Sequence, residues 1–316
     1  MLRLTAALLA STLLLTADGA TSSTPRAASV TDSLQGRWDI SIAAGGGSLP
    51  SWLEVSHSGR AALVGRFVGV VGSARPISRI TVSGDSLRFA IPPQWESGDD
   101  DLVVEGRFVD GRLVGRMTFP DGKRYDWTGV RAPALRRAAA PAWGEPVTLL
   151  HVNDLGGWHA VGGENQWVVS GGVLRSPRSG ANLVTDRTFG DFKLHVEFRY
   201  PKESNSGIYL RGRHEVQIQD DYGQPPAPDR FSGVYGFIEP SEIAAKPAGE
   251  WQTYDITLVG RMVTVVANGK PVIVNREIPG PTGGAIDSNE GAPGPLLLQG
   301  DHGPIEYRHI VITPAR

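Results

Sequence analysis

Residues Asn205–Asp220 alternate apolar and polar side chains with a period of two on both sides of a break at Gly212-Arg213. Successive strand side chains point to opposite faces, whereas a helix needs apolar positions three or four apart. The stretch therefore predicts an antiparallel hairpin with a tight turn at Gly212-Arg213. Ile208 and Leu210 share the inward face of one strand, and Val216 and Ile218 share that of the other. The opposite face carries Tyr209, Arg211, Glu215, Gln217 and Gln219. Such a set of one carboxylate, one guanidinium, a phenol and two amides suits a ligand made of hydroxyls. A solvated sheet face is the alternative reading, because antiparallel sheets commonly wet one side.

The same period recurs along the chain, and no helical pattern of useful length interrupts it. From about Leu34 to Val130 eight short alternating segments are joined by turn pairs such as Gly84-Asp85, Asp110-Gly111 and Asp121-Gly122. They predict a small antiparallel barrel or sandwich over residues 34–131. Trp38, Trp52, Trp95 and Trp127 in this half are either core residues or aromatic faces for a sugar ring. Residues 132–146 shift to Ala, Pro and Arg without a period and form a linker. From Val147 the strands resume, with Phe192–Tyr200 alternating without error and Asn268-Gly269 marking a two-residue turn. About a dozen strands in 147–316 predict two face-packed sheets, a jelly-roll β-sandwich. Loops 221–230 and 279–295, rich in Pro and Gly, either wall a cleft or decorate the surface. The chain as a whole is all-β.

Composition narrows the function. The 316 residues carry a formal net charge of −2, so nothing marks a nucleic-acid or anionic-membrane partner. There is no Cys, hence no disulfide, thiolate nucleophile, cysteine-ligated metal or lipid-anchored N-terminus. Met1–Ala20 reads as an export signal: Arg3, an apolar run from Leu4 to Leu15, then small residues at Ala17-Asp18-Gly19-Ala20. The run is too short to span a bilayer. It predicts a periplasmic or secreted protein without membrane insertion, and residues 21–33 a flexible leader. The seven His show no paired ligand spacing, so a catalytic zinc is not expected. Asp220, Asp221, Asp287 and Asp301 are the residues that would supply oxygen ligands were calcium or another divalent ion bound; no other cofactor is expected. With no dinucleotide or phosphate-loop signature and no nucleophile elbow, neither redox nor triad chemistry is supported.

Asn205-Ser206-Gly207-Ile208, Arg211, Glu215-Val216-Gln217-Ile218, Gly249-Glu250-Trp251, Asn268-Gly269, Leu298-Gln299-Gly300-Asp301-His302-Gly303 and Ile305-Glu306-Tyr307-Arg308 follow one another with the spacing of a known family. In these motifs the chain resembles the 3-keto-disaccharide hydrolase domains, over about Val147–Arg316. His214 departs from the aromatic residue common at that position, and Asp220-Asp221 from Asp-Ser. The resemblance implies a concanavalin-like sandwich related to laminarinase-type glycosidases. It also implies cleavage of glycosides already oxidised to a ketone at C3, which requires a sugar 3-dehydrogenase upstream.

The residues suit that chemistry on their own terms. An ordinary glycosidase needs two carboxylates flanking the scissile bond, and the hairpin face offers Glu215 with amides where a second is expected. A C3 ketone acidifies the C2 hydrogen, so one base can start elimination of the C1 group, and water then adds to the enone. Glu215 is the expected base and His302 the acid for the leaving oxygen. Arg211 and Gln217 are expected to bind the enolate or hydroxyls, with Tyr209, Gln219, Asn205, Gln299 and Asp301 as further substrate ligands. Glu197, beside Phe198-Arg199, is the rival carboxylate. Two other functions fit the same face: a non-catalytic carbohydrate-binding module, and a conventional glycosidase using Glu197 and Glu215.

Overall fold

The computed structural model describes residues 30–316. The export signal and the leader up to residue 29 lie outside the described residues. Of the expected leader, residues 30–33 belong to a single helical turn, α1 (Val30–Leu34). Leu34 is fully buried in the neighbouring core, and its carbonyl accepts the Trp38 indole N–H at 2.8 Å. An apolar side chain with a core to enter has thus pulled the end of the leader into the fold.

Eight strands follow: β1 (Gly36–Ala44), β2 (Gly47–Ser58), β3 (Ala62–Val68), β4 (Arg75–Ser83), β5 (Ser86–Ile91), β6 (Leu102–Val109), β7 (Arg112–Thr118) and β8 (Arg124–Arg131). Each pairs antiparallel with the next, and β8 returns to β1, closing a barrel. Closure leaves no free sheet edge. Trp38 and Trp127 point into the barrel core and Trp52 is also fully covered, whereas Trp95 is 67% exposed.

The 132–146 segment is extended but tied down. Arg137 Nε donates to Asp191 Oδ2 at 2.6 Å, and Arg261 Nε donates to the Pro133 carbonyl at 3.0 Å. The second half contains β9 (Val147–Thr148), β10 (Trp158–Val161), β11 (Val168–Ser170), β12 (Val173–Ser176), β13 (Asn182–Phe189) and β14 (Phe192–Arg199). It continues with β15 (Asn205–Leu210), β16 (His214–Gln219), β17 (Gln252–Val259), β18 (Met262–Ala267), β19 (Lys270–Glu277), β20 (Gly294–Leu298) and β21 (Ile305–Pro314).

Two sheets result. One runs β10-β13-β20-β15-β16; the other runs β11-β12-β21-β14-β17-β18-β19, with β9 added against β21. Ile208, Leu210, Val216 and Ile218 meet Leu194, Val196, Phe198, Tyr254 and Tyr307 in the core between them. The expected inward face of the hairpin is therefore the observed one. Its turn differs: Leu210 pairs with His214, so Arg211, Gly212 and Arg213 form a three-residue turn, with Arg211 at φ 54°. The segment 233–238 makes only isolated bridges, Val234 with Val216 and with Ile238. There it covers the outer edge of β16.

The barrel docks against loops of the sandwich. Gly284 N–H donates to the Val70 carbonyl at 3.0 Å, Arg37 donates to Glu277 at 2.7 Å, and Trp52 meets Phe237 edge-on at 5.2 Å. The 279–295 loop runs through this contact. A Cβ at Gly280 would stand 2.2 Å from Trp52 Nε1, and one at Gly283 2.3 Å from the Gly72 carbonyl oxygen. Only chain without side chains fits there.

Candidate active site

The outward face of β15 and β16 forms the floor of a cleft of about 490 Å3. Tyr209, Glu215 and Gln217 rise from the hairpin, and Asn205 stands at its start. Asn182, Gln299, Asp301 and His302 flank them, while Tyr235 and Gly283-Gly284 come from the covering loops. Val71, Gly72 and Trp95 of the barrel supply the remaining wall. Two other hollows, along the 134–140 segment and across the barrel's outer wall, bring together no comparable set of buried titratable groups.

Glu215 is the centre of the site. Its side chain points out of the sheet because its neighbour Val216 points in, yet the surrounding loops leave it only 3% exposed. Oε2 lies 2.9 Å from the Tyr209 hydroxyl, and the backbone N–H donates to Thr282 Oγ1 at 3.0 Å. With its amide nitrogen turned to the carboxyl, Gln217 donates to Glu215 Oε1 at 3.2 Å and to the Ser206 carbonyl at 3.2 Å. Among the described residues no cation is within hydrogen-bonding contact. Burial therefore pushes the Glu215 carboxyl up to about 8, against the opposing pull of the Tyr209 bond and the His302 charge.

Tyr209 makes the site sensitive to that proton. Its hydroxyl also lies 3.0 Å from the Gly283 carbonyl, but it has one hydrogen to give. With Glu215 ionised the phenol donates to the carboxylate. With Glu215 protonated the carboxyl donates to the phenol oxygen, and the phenol donates to Gly283. A Cβ at Gly207, across the ribbon, would fall 2.2 Å from Glu215 Oε1, so the carboxyl occupies the space that the missing side chain leaves.

Asp301 and His302 form a second unit. Asp301 Oδ1 and His302 Nδ1 are 2.7 Å apart, which leaves Nε2 as the uncommitted ring nitrogen. The Asp301 bond, opposed by burial, raises the His302 imidazolium above the ordinary range, helped by the charges of Asp301 and Glu215. Burial works upward on Asp301, but bonds from His302 and Asn182 outweigh it and hold the carboxyl low. Burial thus raises the proton affinity of Glu215, and the Asp301 bond raises that of His302. Gln299 adds a buried side-chain carbonyl with no partner among the described residues, an acceptor in the cleft wall.

Three expected ligands stand elsewhere. Arg211 is not in the cleft: the three-residue turn takes it off the strand, and it is buried with Nη2 bonded to the Gly260 carbonyl at 2.8 Å. Its neighbour His214, also fully buried, has its pKa driven well below the ordinary value, chiefly by burial. Gln219 sits one layer back, accepting from Asn205 Nδ2 at 3.3 Å and donating to Asp221 Oδ1 at 3.2 Å. Glu197 lies on the outward face of the other sheet, since Val196 and Phe198 flanking it enter the core. Arg308 Nε donates to it at 2.5 Å and His309 Nδ1 lies at 3.0 Å. Glu197 and Glu215 therefore sit on opposite sides of a sandwich whose sheets are ~10 Å apart, and cannot flank one bond.

The four Asp residues considered for a divalent ion are dispersed. Asp220 accepts from Glu203 N, Asp221 from Phe231 N, Asp287 from Arg213, and Asp301 from His302. Among the described residues no group of three His, Asp or Glu is gathered around a common point. Asn182 and Tyr235 were not foreseen. Nothing local to either residue marks it as facing the cleft, and only the tertiary fold brings both to its wall.

A family described as "3-keto-alpha-glucoside-1,2-lyase-like domain" matches residues 145–313, just over half of the chain. No protein of curated function matches. Among solved structures, the chain is similar to a protein of Parabacteroides distasonis provisionally assigned as a glycosyl hydrolase, at 29% identity and TM-score 0.45. The match covers 53% of this chain and 82% of that one. A β-glucanase of Bacillus licheniformis is similar at 11% identity and TM-score 0.37, over 57% of this chain and all of that one. A carbohydrate-binding module of Bacillus subtilis is similar at 11% identity and TM-score 0.34, over 49% of this chain and 93% of that one.

Proposed function

The chain belongs to the 3-keto-alpha-glucoside-1,2-lyase-like family, and from that premise we propose that it cleaves glycosides whose sugar carries a ketone at C3. Glu215 takes the C2 proton, and the electron pair moves to the C3 oxygen. The enolate then expels the C1 substituent, whose oxygen receives a proton from His302 Nε2. The products at this stage are an enone and the free alcohol. Water next adds at C1, giving a proton back to His302, while Glu215, its abstracted proton exchanged with solvent in the interval, protonates C2. The sum is hydrolysis, with both residues restored.

What supports this reading is a single buried carboxyl with its pKa near 8, beside an Asp–His pair, in a polar cleft. A base is most effective when its pKa lies near the working pH. Asn182 and Asn205 are the donors left for the C3 oxygen and neighbouring hydroxyls, since Arg211 lies outside the cleft and Gln217 is engaged with Glu215 and Ser206. Tyr209 holds the carboxyl in place. The substrate has to be supplied by an enzyme that oxidises a sugar at C3. The export signal read in Met1–Ala20 puts the reaction in the periplasm or outside the cell. Among the described residues no helix is long and apolar enough to cross a membrane.

A second reading rests on Asp301, a carboxylate in the same cleft: with Glu215 it would make an ordinary two-carboxylate glycosidase. One experiment separates the two. A 3-keto glucoside and its unoxidised parent are offered side by side, and release of the alcohol is followed. Turnover of the oxidised substrate alone, lost in Glu215→Gln, is the expected result. Turnover of the parent supports the Asp301 reading, and binding of both without turnover supports a carbohydrate-binding module.

A further inference from the structure

The barrel lies outside the matched residues 145–313, yet it reaches the cleft with a side chain that its own fold has no use for. Trp95 is 67% exposed at the rim, while the other three tryptophans of that half, Trp38, Trp52 and Trp127, are buried. Leaving so large an apolar ring in water forgoes one of the greatest burial gains a residue offers.

The loop that carries it is tied down beneath the ring. The Glu96 carboxylate, 6% exposed, bonds Arg75 Nη2 at 2.5 Å. It also accepts the backbone N–H groups of Gln94 at 2.8 Å and of Trp95 itself at 3.2 Å. Arg75 donates in addition to the Pro92 carbonyl at 2.8 Å, and Ser73 N–H donates to Gln94 Oε1 at 3.0 Å. Tyr235, whose backbone N–H donates to the Glu215 carbonyl at 3.1 Å, lines the same cleft as Trp95. A buried ion pair spent on fixing an exposed indole marks a preorganised contact, since a ring ordered beforehand costs little to bind.

The position tells what the ring meets. Glu215 and His302 surround the C1–C2 bond in the reading proposed above, on which this inference rests. Trp95 stands on the barrel wall of the same cleft, opposite the hairpin floor. We infer that Trp95 is the platform on which the leaving group stacks, and that the barrel makes the enzyme selective for ring-bearing leaving groups. A second pyranose and a planar aromatic aglycone share the required chemistry, an apolar face the size of the indole.

The test compares full-length wild type, Trp95→Ala and Trp95→Phe on three 3-keto glucosides whose leaving groups are glucose, a nitrophenol and methanol. The quantity read is kcat/KM for each ring-bearing substrate divided by that for the methyl glycoside. Trp95→Ala is expected to lower this ratio about tenfold, the worth of one stacked ring, mostly through KM. Trp95→Phe should keep it within about threefold. A fall for one leaving group alone tells which of the two the platform serves. An unchanged ratio in Trp95→Ala, with melting temperature also unchanged, overturns the inference. Should wild type turn over none of the three, the proposed function fails instead. Calorimetric titration of the unoxidised disaccharide and of methyl glucoside then reads the same ratio in Kd. A ratio unaffected by Trp95→Ala in that titration overturns the inference as well.

Discussion

The two outward faces of the sandwich look alike in sequence and behave in opposite ways. On the eight-stranded side Glu197 is met by Arg308 and His309. Burial works upward on it, but those partners outweigh burial and hold its carboxyl below the ordinary range. Its neighbours Glu306, Arg199 and Arg175 form further ion pairs, with Trp251 stacked under Arg199 and Arg308. Every charge there is matched and half in solvent. On the five-stranded side loops and the barrel exclude water from Glu215, and its contacts are a phenol and an amide. Its carboxyl is driven up instead of down. A carboxylate surrounded by cations has no reason to accept a proton, whereas one surrounded by neutral donors in a dry cleft does.

The sharpest way to break that comparison is to neutralise each carboxylate in turn. Glu215→Gln should cost about 10^3-fold or more in kcat on a 3-keto glucoside, within the range for a lost general base, while Glu197→Gln stays within about twofold. His302→Gln should cost about 10^2-fold. It also removes a charge that holds Glu215 down, so the acid limb of the remaining pH–kcat/KM profile moves to higher pH. Gly207→Ala should reduce kcat about 10^2-fold without touching a reacting group, because its Cβ displaces Glu215 Oε1.

The effect on stability differs in sign between the faces. Glu215 has a folded-state pKa near 8, well above its unfolded value. Its contribution is fully present below the unfolded pKa and is lost as pH rises through about 8. Glu215→Gln should therefore be more stable than wild type at pH 9, by roughly 2–4 kcal/mol in denaturant titrations. Glu197 has a lowered folded pKa, so its contribution is present at neutral pH and is lost as pH falls through that value. Glu197→Gln should lose up to about 1 kcal/mol at pH 7, less in high salt.

How much of this was legible follows from the range of the signals. Alternation at 205–220 assigned the inward and outward residues of the hairpin, because strand side chains have a fixed period. The turn was not legible. A non-glycine residue in the left-handed region, Arg211, gives no local sign, and one residue of slippage took it out of the cleft. Alternation alone could not say which sheet's outer face is solvated, so Glu197 and Glu215 looked equivalent. The barrel wall was hidden for another reason. Val71, Gly72 and Trp95 reach the cleft through contacts between segments far apart in sequence. The one local hint was at Trp95, which sits in a Pro-Pro-Gln-Trp-Glu loop instead of an alternating strand.

The central claim is that cleavage proceeds through removal of the C2 hydrogen by Glu215. The measurement that tests it most directly is turnover of a 3-keto glucoside in D2O, with the released sugar examined for deuterium at C2 against an enzyme-free control. One deuterium at C2 per turnover, absent from the control, is the predicted result. A product that keeps its original hydrogen at C2 while the alcohol is released contradicts the account.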